Sequence, residues 1–325
     1  MTRASNVLEE VPGLPDRRLC GWRVRSGIPL LELAEWSDAD RQPDIDISVG
    51  PVASHLNSSE RVAPHDPLGR MTLDVTSDDV ALLTVVGVAR FLVTRGERVV
   101  IDPLTNDSAA VRLFLLGTVL SLLCYHRGLL PLHASCLEID GVAIAVGGRS
   151  GAGKSTLAMT LARQDVSVLA DDISAVDPFA SDGPIVWPSV ARLKLWRDSL
   201  DLLGMTTDPS RRIRRGSEKY SASDVPFVTT PRPLACLYHL SAVAGAPDTE
   251  VRPLAGIDAV RSLNGMLYRG YIGRAMQRGD WMIRATLAIL THVPVFAMGR
   301  DPDRDTPESL AVRFLEHARG ERLRV

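Results

Sequence analysis

Residues 148–155 read Gly148-Arg149-Ser150-Gly151-Ala152-Gly153-Lys154-Ser155, a match to G-x-x-x-x-G-K-[ST] at every fixed position. Each residue type has a physical job at an anion. The glycines let backbone N–H groups turn inward onto phosphate oxygens. Lys154 reaches toward β- and γ-phosphates, and the Ser155 hydroxyl suits Mg²⁺. A helix beginning after Gly153 aims the positive end of its dipole at the same anion, with Thr156 in its first turn. The expected nucleotide contacts are Gly148, Arg149, Ser150, Gly151, Ala152, Gly153, Lys154, Ser155 and Thr156.

Two further signals flank this loop. Asp171-Asp172 follows 17 positions after Lys154, at the end of an apolar run. Phosphoryl transfer to a hydroxyl needs an acidic group for Mg²⁺ and a base for the attacking oxygen. Neighbouring carboxylates at a strand end point in different directions, so one can serve each role. The plainer reading is a polar strand terminus or a helix cap. His133 stands upstream, in Leu132-His133-Ala134-Ser135. It suits proton transfer or a phosphate contact, or simply a hydrogen-bonded place in the core.

The elements that must position these residues are legible around them. Residues 142–146 are apolar and largely β-branched, the pattern of a buried strand, and 156–163 are good helix material. Strand, loop and helix in that order are what the motif requires. Ala134–Ile139 and Val142–Gly147 flank Asp140-Gly141, a strong hairpin signal. Residues 166–170, 192–195, 234–240 and 293–298 read as strands; 198–203, 259–268, 274–290 and 307–318 read as helices. Upstream, 80–86, 89–94 and 98–102 read as three strands with a turn at Arg95-Gly96. A helix follows, from N-cap candidates at 105–108 to about His126, stopped by Gly128. Residues 37–70 and 205–232 are polar and read as loops. The expected division is a β-rich domain over 1–103, a linking helix over 104–130 and a catalytic domain over 131–325, with α/β content overall.

The chain has 325 residues, 45% hydrophobic and 23% charged, an ordinary globular composition. Its net charge of −2 gives no reason to expect a nucleic-acid or membrane partner. Cys20, Cys124, Cys136 and Cys236 lie far apart, which suits reduced, buried thiols. No signal-like apolar segment follows Met1, and the apolar stretch at 111–123 reads as too short to span a bilayer. The expected compartment is the cytoplasm; a homo-oligomer is left open.

Three motifs together resemble a family. Leu132-His133-Ala134-Ser135, Gly148 to Ser155 and Leu169-Ala170-Asp171-Asp172 look like the core of HPr serine kinase/phosphorylase. His133 stands 21 positions before Lys154, as that family's histidine does before its loop lysine. The resemblance covers about residues 125–180. It implies a P-loop kinase core of the HPr kinase/PEP carboxykinase-like type, with ATP and Mg²⁺ and a seryl hydroxyl as acceptor. It implies catalytic roles for Asp172 (general base), His133 and Lys154, and a metal-side role for Asp171 with Ser155. The family's Gly-rich signature linked to HPr docking is not found. Arg192-Leu193-Lys194-Leu195-Trp196-Arg197-Asp198-Ser199-Leu200 and Glu218-Lys219-Tyr220 instead look like HPr-kinase-like enzymes of lasso peptide biosynthesis. Those act on the C-terminal serine of a precursor peptide, so a peptide or small protein bearing a serine hydroxyl is the expected partner. HPr itself is the next reading, and a non-catalytic ATP-sensing regulator or a kinase of a small-molecule hydroxyl are others.

The remaining features divide less sharply. Residues 211–219 are strongly basic and suit either phosphate or acceptor carboxylate, or a solvated loop; Lys219 is the preferred contact. Arg192 and Lys194 share one face of a strand and either line the cleft or face solvent. Trp187 and Trp196 are expected to pack rather than stack on a ligand. No L-S-G-G-Q-like or N-K-x-D motif is present, against an ABC-type ATPase or a GTPase switch.

Overall fold

A computed structural model describes residues 8–38, 40–56, 60–62, 70–214, 216–245 and 250–322. The chain is mixed α/β and forms two compact units. The first holds 1–129, 213–216 and 269–280; the second holds 130–212, 217–268 and 281–325. The helix expected as a link groups with the first unit.

Eight strands make the sheet of the first unit: β1 (Arg17–Leu19), β2 (Trp22–Ser26), β3 (Ile45–Val49), β4 (Glu60–Val62), β5 (Met71–Val75), β6 (Val80–Val85), β7 (Ala89–Thr94) and β8 (Arg98–Pro103). Their order is β1-β2-β3-β8-β7-β6-β5-β4. The expected turn at Arg95-Gly96 is there, both residues having positive φ. The expected loop at 37–70 is corrected by β3, which pairs parallel with both β2 and β8, and by β4. Its Ile45, Ile47 and Val49 alternate with polar residues, a strand signal that the surrounding Asp and Pro obscure. Helices α1 (Ser108–Phe114) and α2 (Leu120–His126) are joined through a π-helical turn at Leu115–Val119. Together they form one helix, Ser108–His126, long and apolar enough to cross a membrane by length and composition, contrary to the expectation that this stretch is too short. Its most apolar window is 72% buried, as for a core helix.

In the second unit the hairpin of β10 (Ala134–Ile139) and β11 (Val142–Gly147) has the expected bounds, closed by Asp140 and Gly141 at positive φ. With β9 (Leu130–Leu132), β12 (Ser167–Ala170), β13 (Ser174–Asp177), β14 (Ile185–Trp187), β17 (Arg232–Ala242), β18 (Val251–Leu254) and β19 (Val295–Arg300) it forms a nine-stranded sheet. Strands β11, β17 and β19 run parallel at its centre. Helix α3 (Lys154–Ala162) follows β11. It is buried nearly all round, so it shows no polar face. Its Leu157, Ala158 and Leu161 share a core with Val146, Tyr238, Met298 and Phe314. A separate ribbon pairs β15 (Leu193–Trp196) with β16 (Lys219–Ala222), which corrects the expected loop at 205–232. Helix α4 (Arg197–Leu202) follows β15. The expected helix over 274–290 is two, α6 (Gly270–Ala275), which belongs to the first unit, and α7 (Gly279–His292), whose residues from Trp281 on belong to the second; the break falls where Gln277 takes a positive φ. Helices α5 (Gly256–Gly265) and α8 (Pro307–Arg322) complete the described chain.

Candidate active site

Parallel strands leave a crevice at their carboxyl ends, where a following helix begins. The second unit uses that edge. Strand β11 ends at Gly147, the loop 148–153 turns with positive φ at Gly148, Gly151 and Gly153, and α3 starts at Lys154. Glycine is required at Gly148, where an added Cβ would collide with the Leu240 carbonyl oxygen of β17. A cleft of 390 Å³ opens here, within the size range of small-molecule sites. Ser150, Gly151, Gly153, Lys154, Ser155 and Thr156 line it. Gly148 and Arg149 are not among the lining residues; their carbonyls accept from Lys154 Nζ at 2.9 and 3.1 Å. Ala152 is buried in the core cluster. Burial lowers the pKa of Lys154, opposed by Asp171 and Asp172.

His133, Asp171 and Asp172 line the same cleft, and the two carboxylates do face different groups. Asp171 directly follows β12 and is 5% exposed. Its carboxylate accepts from Ser135 Oγ at 2.6 Å, from Ser155 Oγ at 3.0 and 3.2 Å, and from the Lys194 N–H at 2.8 Å. Asp172 has φ +74, a left-handed conformation uncommon outside glycine, asparagine and aspartate. That turn sends its carboxylate to Lys194 Nζ at 2.6 Å. Burial pushes the Asp172 carboxyl up, but Lys194 and His133 outweigh it and hold its pKa at about 2. Lys194 therefore touches both acids, one through its backbone and one through its ammonium.

His133 Nδ1 lies 3.0 Å from the Asp172 carbonyl oxygen. A carbonyl only accepts, so Nδ1 carries a proton. Burial and then the Lys154 charge lower the His133 pKa, against the pull of Asp172. The ring is neutral at neutral pH, and Nε2 is its basic atom.

Sequence reasoning left Lys194 open between cleft and solvent; it is 8% exposed and lines the cleft. Lys219 lines it too. The expectation that Trp196 packs is corrected: it is 45% exposed at the cleft, with Lys219 Nζ 4.8 Å from its ring centroid. The two residues are cross-strand partners in the β15–β16 ribbon, a pairing visible only once β16 is known. Trp187 is half-buried on β14 and does not line the cleft. Within the basic run, Arg211 pairs with Asp224 at 2.6 Å and Arg212 with Glu218 at 3.5 Å; Arg215 lies outside the described residues. Arg192 is buried and is not among the cleft's lining residues. Asp198, Ser199, Leu202 and Arg300 also line the cleft, and Thr156 Oγ1 donates to Ser199 Oγ at 2.9 Å. Asp198 and Ser199 belong to the 192–200 stretch that carries the lasso-kinase resemblance, though no role was read for them; Leu202 and Arg300 belong to no such motif, and the fold brings them in.

The donor set around Ser155 and Asp171 is all oxygen, as a hard divalent cation prefers. Among the described residues no cluster of three His, Cys, Asp or Glu side chains could hold a metal ion. Mg²⁺ at a phosphate site needs no such cage, since one or two carboxylates and the phosphates themselves suffice. The residues present fit that ion.

No family model matches the chain, and no curated protein matches it. Among solved structures it is similar to the Hpr(Ser) kinase/phosphatase from Coxiella burnetii, at 15% identity and a TM-score of 0.32, over 58% of this chain and 90% of that one. A likeness at that score carries nothing about chemistry or partners.

Proposed function

We propose that the protein is an ATP-dependent kinase that phosphorylates a seryl hydroxyl, with the C-terminal serine of a precursor peptide as its preferred acceptor. The observation that carries this is Asp172: an ionised carboxylate, held between Lys194 and His133, in the same cleft as the Gly148–Ser155 loop. A site built only to hold nucleotide needs the loop but no such base. The acceptor class rests on the motif resemblance alone.

In this reading the loop amides and Lys154 hold the nucleotide phosphates and neutralise charge as transfer proceeds. Ser155 and Asp171 would hold Mg²⁺, which when bound would screen the phosphate charge. Asp172 orients the acceptor hydroxyl. As that oxygen bonds to the γ-phosphorus and the bond to the bridging oxygen breaks, its proton passes to the Asp172 carboxylate. Such a transition state is loose, so the proton leaves late, when the hydroxyl has become acidic; a carboxylate of pKa about 2 can then accept it. The four free, buried cysteines fit a reducing compartment, and we propose the cytoplasm.

The acceptor is tested with ATP labelled at its γ-phosphate, offered to a peptide with a C-terminal serine, to HPr and to free serine. Label on the peptide is expected. Label on HPr or serine instead reassigns the acceptor, and label on none leaves the regulator reading ahead.

A further inference from the structure

Arg300 is the last residue of β19, at the carboxyl edge of the parallel strands and 146 positions after Lys154. It lines the same cleft. Its guanidinium lies against the phosphate loop: a Cβ added at Gly153 would stand 3.5 Å from Arg300 Nε and 3.7 Å from its central carbon. That Nε is buried and has no hydrogen-bond partner among the described residues. The acid whose pKa it helps to lower, Asp305, is committed elsewhere: it pairs with Arg313 at 3.2 Å and accepts from the Asp301 N–H. Arginine cannot shed its charge at any working pH, so a buried donor on a guanidinium calls for an anion or an equivalent acceptor.

We propose that Arg300 is a nucleotide-binding residue of this cleft, reaching the phosphate held over Gly153. Backbone N–H groups of such a loop cradle the α- and β-phosphates, so the β-phosphate of a nucleoside diphosphate or triphosphate is the group in question. A planar fork of donors suits two phosphate oxygens at once. Arg300 enters from β19 and the loop from β11, so the phosphate joins two strands separated by β17. Gly153 takes φ +106, and its lack of a side chain keeps the space between loop and guanidinium clear.

The inference rests on the cleft being a nucleotide site, and the test separates the two. Titration calorimetry of Mg·ADP into the full chain is compared for wild type, Arg300→Gln and Arg300→Lys, with each unfolding midpoint measured alongside. Loss of a charge-assisted contact predicts about ten- to a hundredfold weaker binding for Arg300→Gln. Arg300→Lys, which keeps the charge, falls between that variant and wild type, and the midpoints stay together. Wild-type affinity in Arg300→Gln overturns the inference while leaving the nucleotide site intact. Weakening accompanied by a matching fall of the unfolding midpoint in both variants also overturns it, because a folding defect then accounts for the loss. A wild type that binds neither ADP nor ATP overturns the nucleotide reading and the inference with it.

Discussion

Lys194 bridges the acidic pair, its N–H on Asp171 and its ammonium on Asp172. Only the second contact depends on the side chain. Replacing it by methionine keeps the strand and removes the charge. Burial, the largest influence on Asp172, then acts with less opposition, so its carboxyl rises from about 2. A higher pKa alone would make Asp172 a stronger base, but Lys194→Met also frees the Asp172 carboxylate to turn away from the acceptor. That lost positioning is expected to lower kcat by at least about tenfold while leaving ATP affinity nearly unchanged, as a kcat and KM comparison would show. The pH profile reports the charge on His133, whose ring, when protonated, pairs with the Asp172 carboxylate 3.4 Å away and ties up the base. Asp172 stays ionised far below neutrality. His133 has its pKa lowered from 6.5, so it is neutral above that shifted value and charges as pH falls below it. The acid limb of kcat/KM in wild type is therefore expected below pH 6.5, and His133→Asn should remove it. An unchanged limb in that variant would exclude His133 as its source.

At the scale of elements, what was legible is what is local. The β10–β11 hairpin has the expected bounds because Asp140-Gly141 dictates its turn and apolar residues fill both strands. The helix after the loop needed only good helix formers. The β15–β16 ribbon was half-seen, since β16 reads Lys-Tyr-Ser-Ala after a run of arginines and pairs with a single strand, β15. Strands β9, β13 and β14 were missed because three or four residues carry too little periodicity. Arg300 was missed because no local pattern says that the ends of β19 and β11 share an edge. In the first unit, the end of α2 carries a testable consequence. The His126 side chain is 2% exposed, and burial lowers its pKa from 6.5 to about 4, with Asp79 opposing and Arg278 assisting. A depressed histidine contributes stability above its unfolded value, and that stability is lost as pH falls from 6.5 toward 4. The loss is on the order of 3 kcal/mol. Denaturant midpoints of wild type and His126→Gln should converge across that window; parallel curves would contradict the assignment.

Across the whole molecule, a net charge of −2 hides an uneven distribution. Lys154, Lys194, Lys219 and Arg300 meet Asp171, Asp172 and Asp198 in one cleft of the second unit. The three-part spacing of His133, the glycine-rich loop and the acidic pair was readable in sequence because β10, β11 and β12 are adjacent in both chain and sheet. Of the cations that answer those acids, Lys219 on β16 was the preferred contact from sequence and Lys194 on β15 was left open, while Arg300 on β19 needed the fold. The central claim is that this arrangement transfers a phosphoryl group and does not merely hold nucleotide. Asp172→Asn tests it most directly, since asparagine accepts the left-handed backbone of Asp172 and removes only the charge. ATP binding and phosphate incorporation into a C-terminal-serine peptide are measured on the same sample, by calorimetry and intact mass. The expected result is ATP affinity within a few-fold of wild type and no incorporation. Incorporation at the wild-type rate in Asp172→Asn would contradict the account.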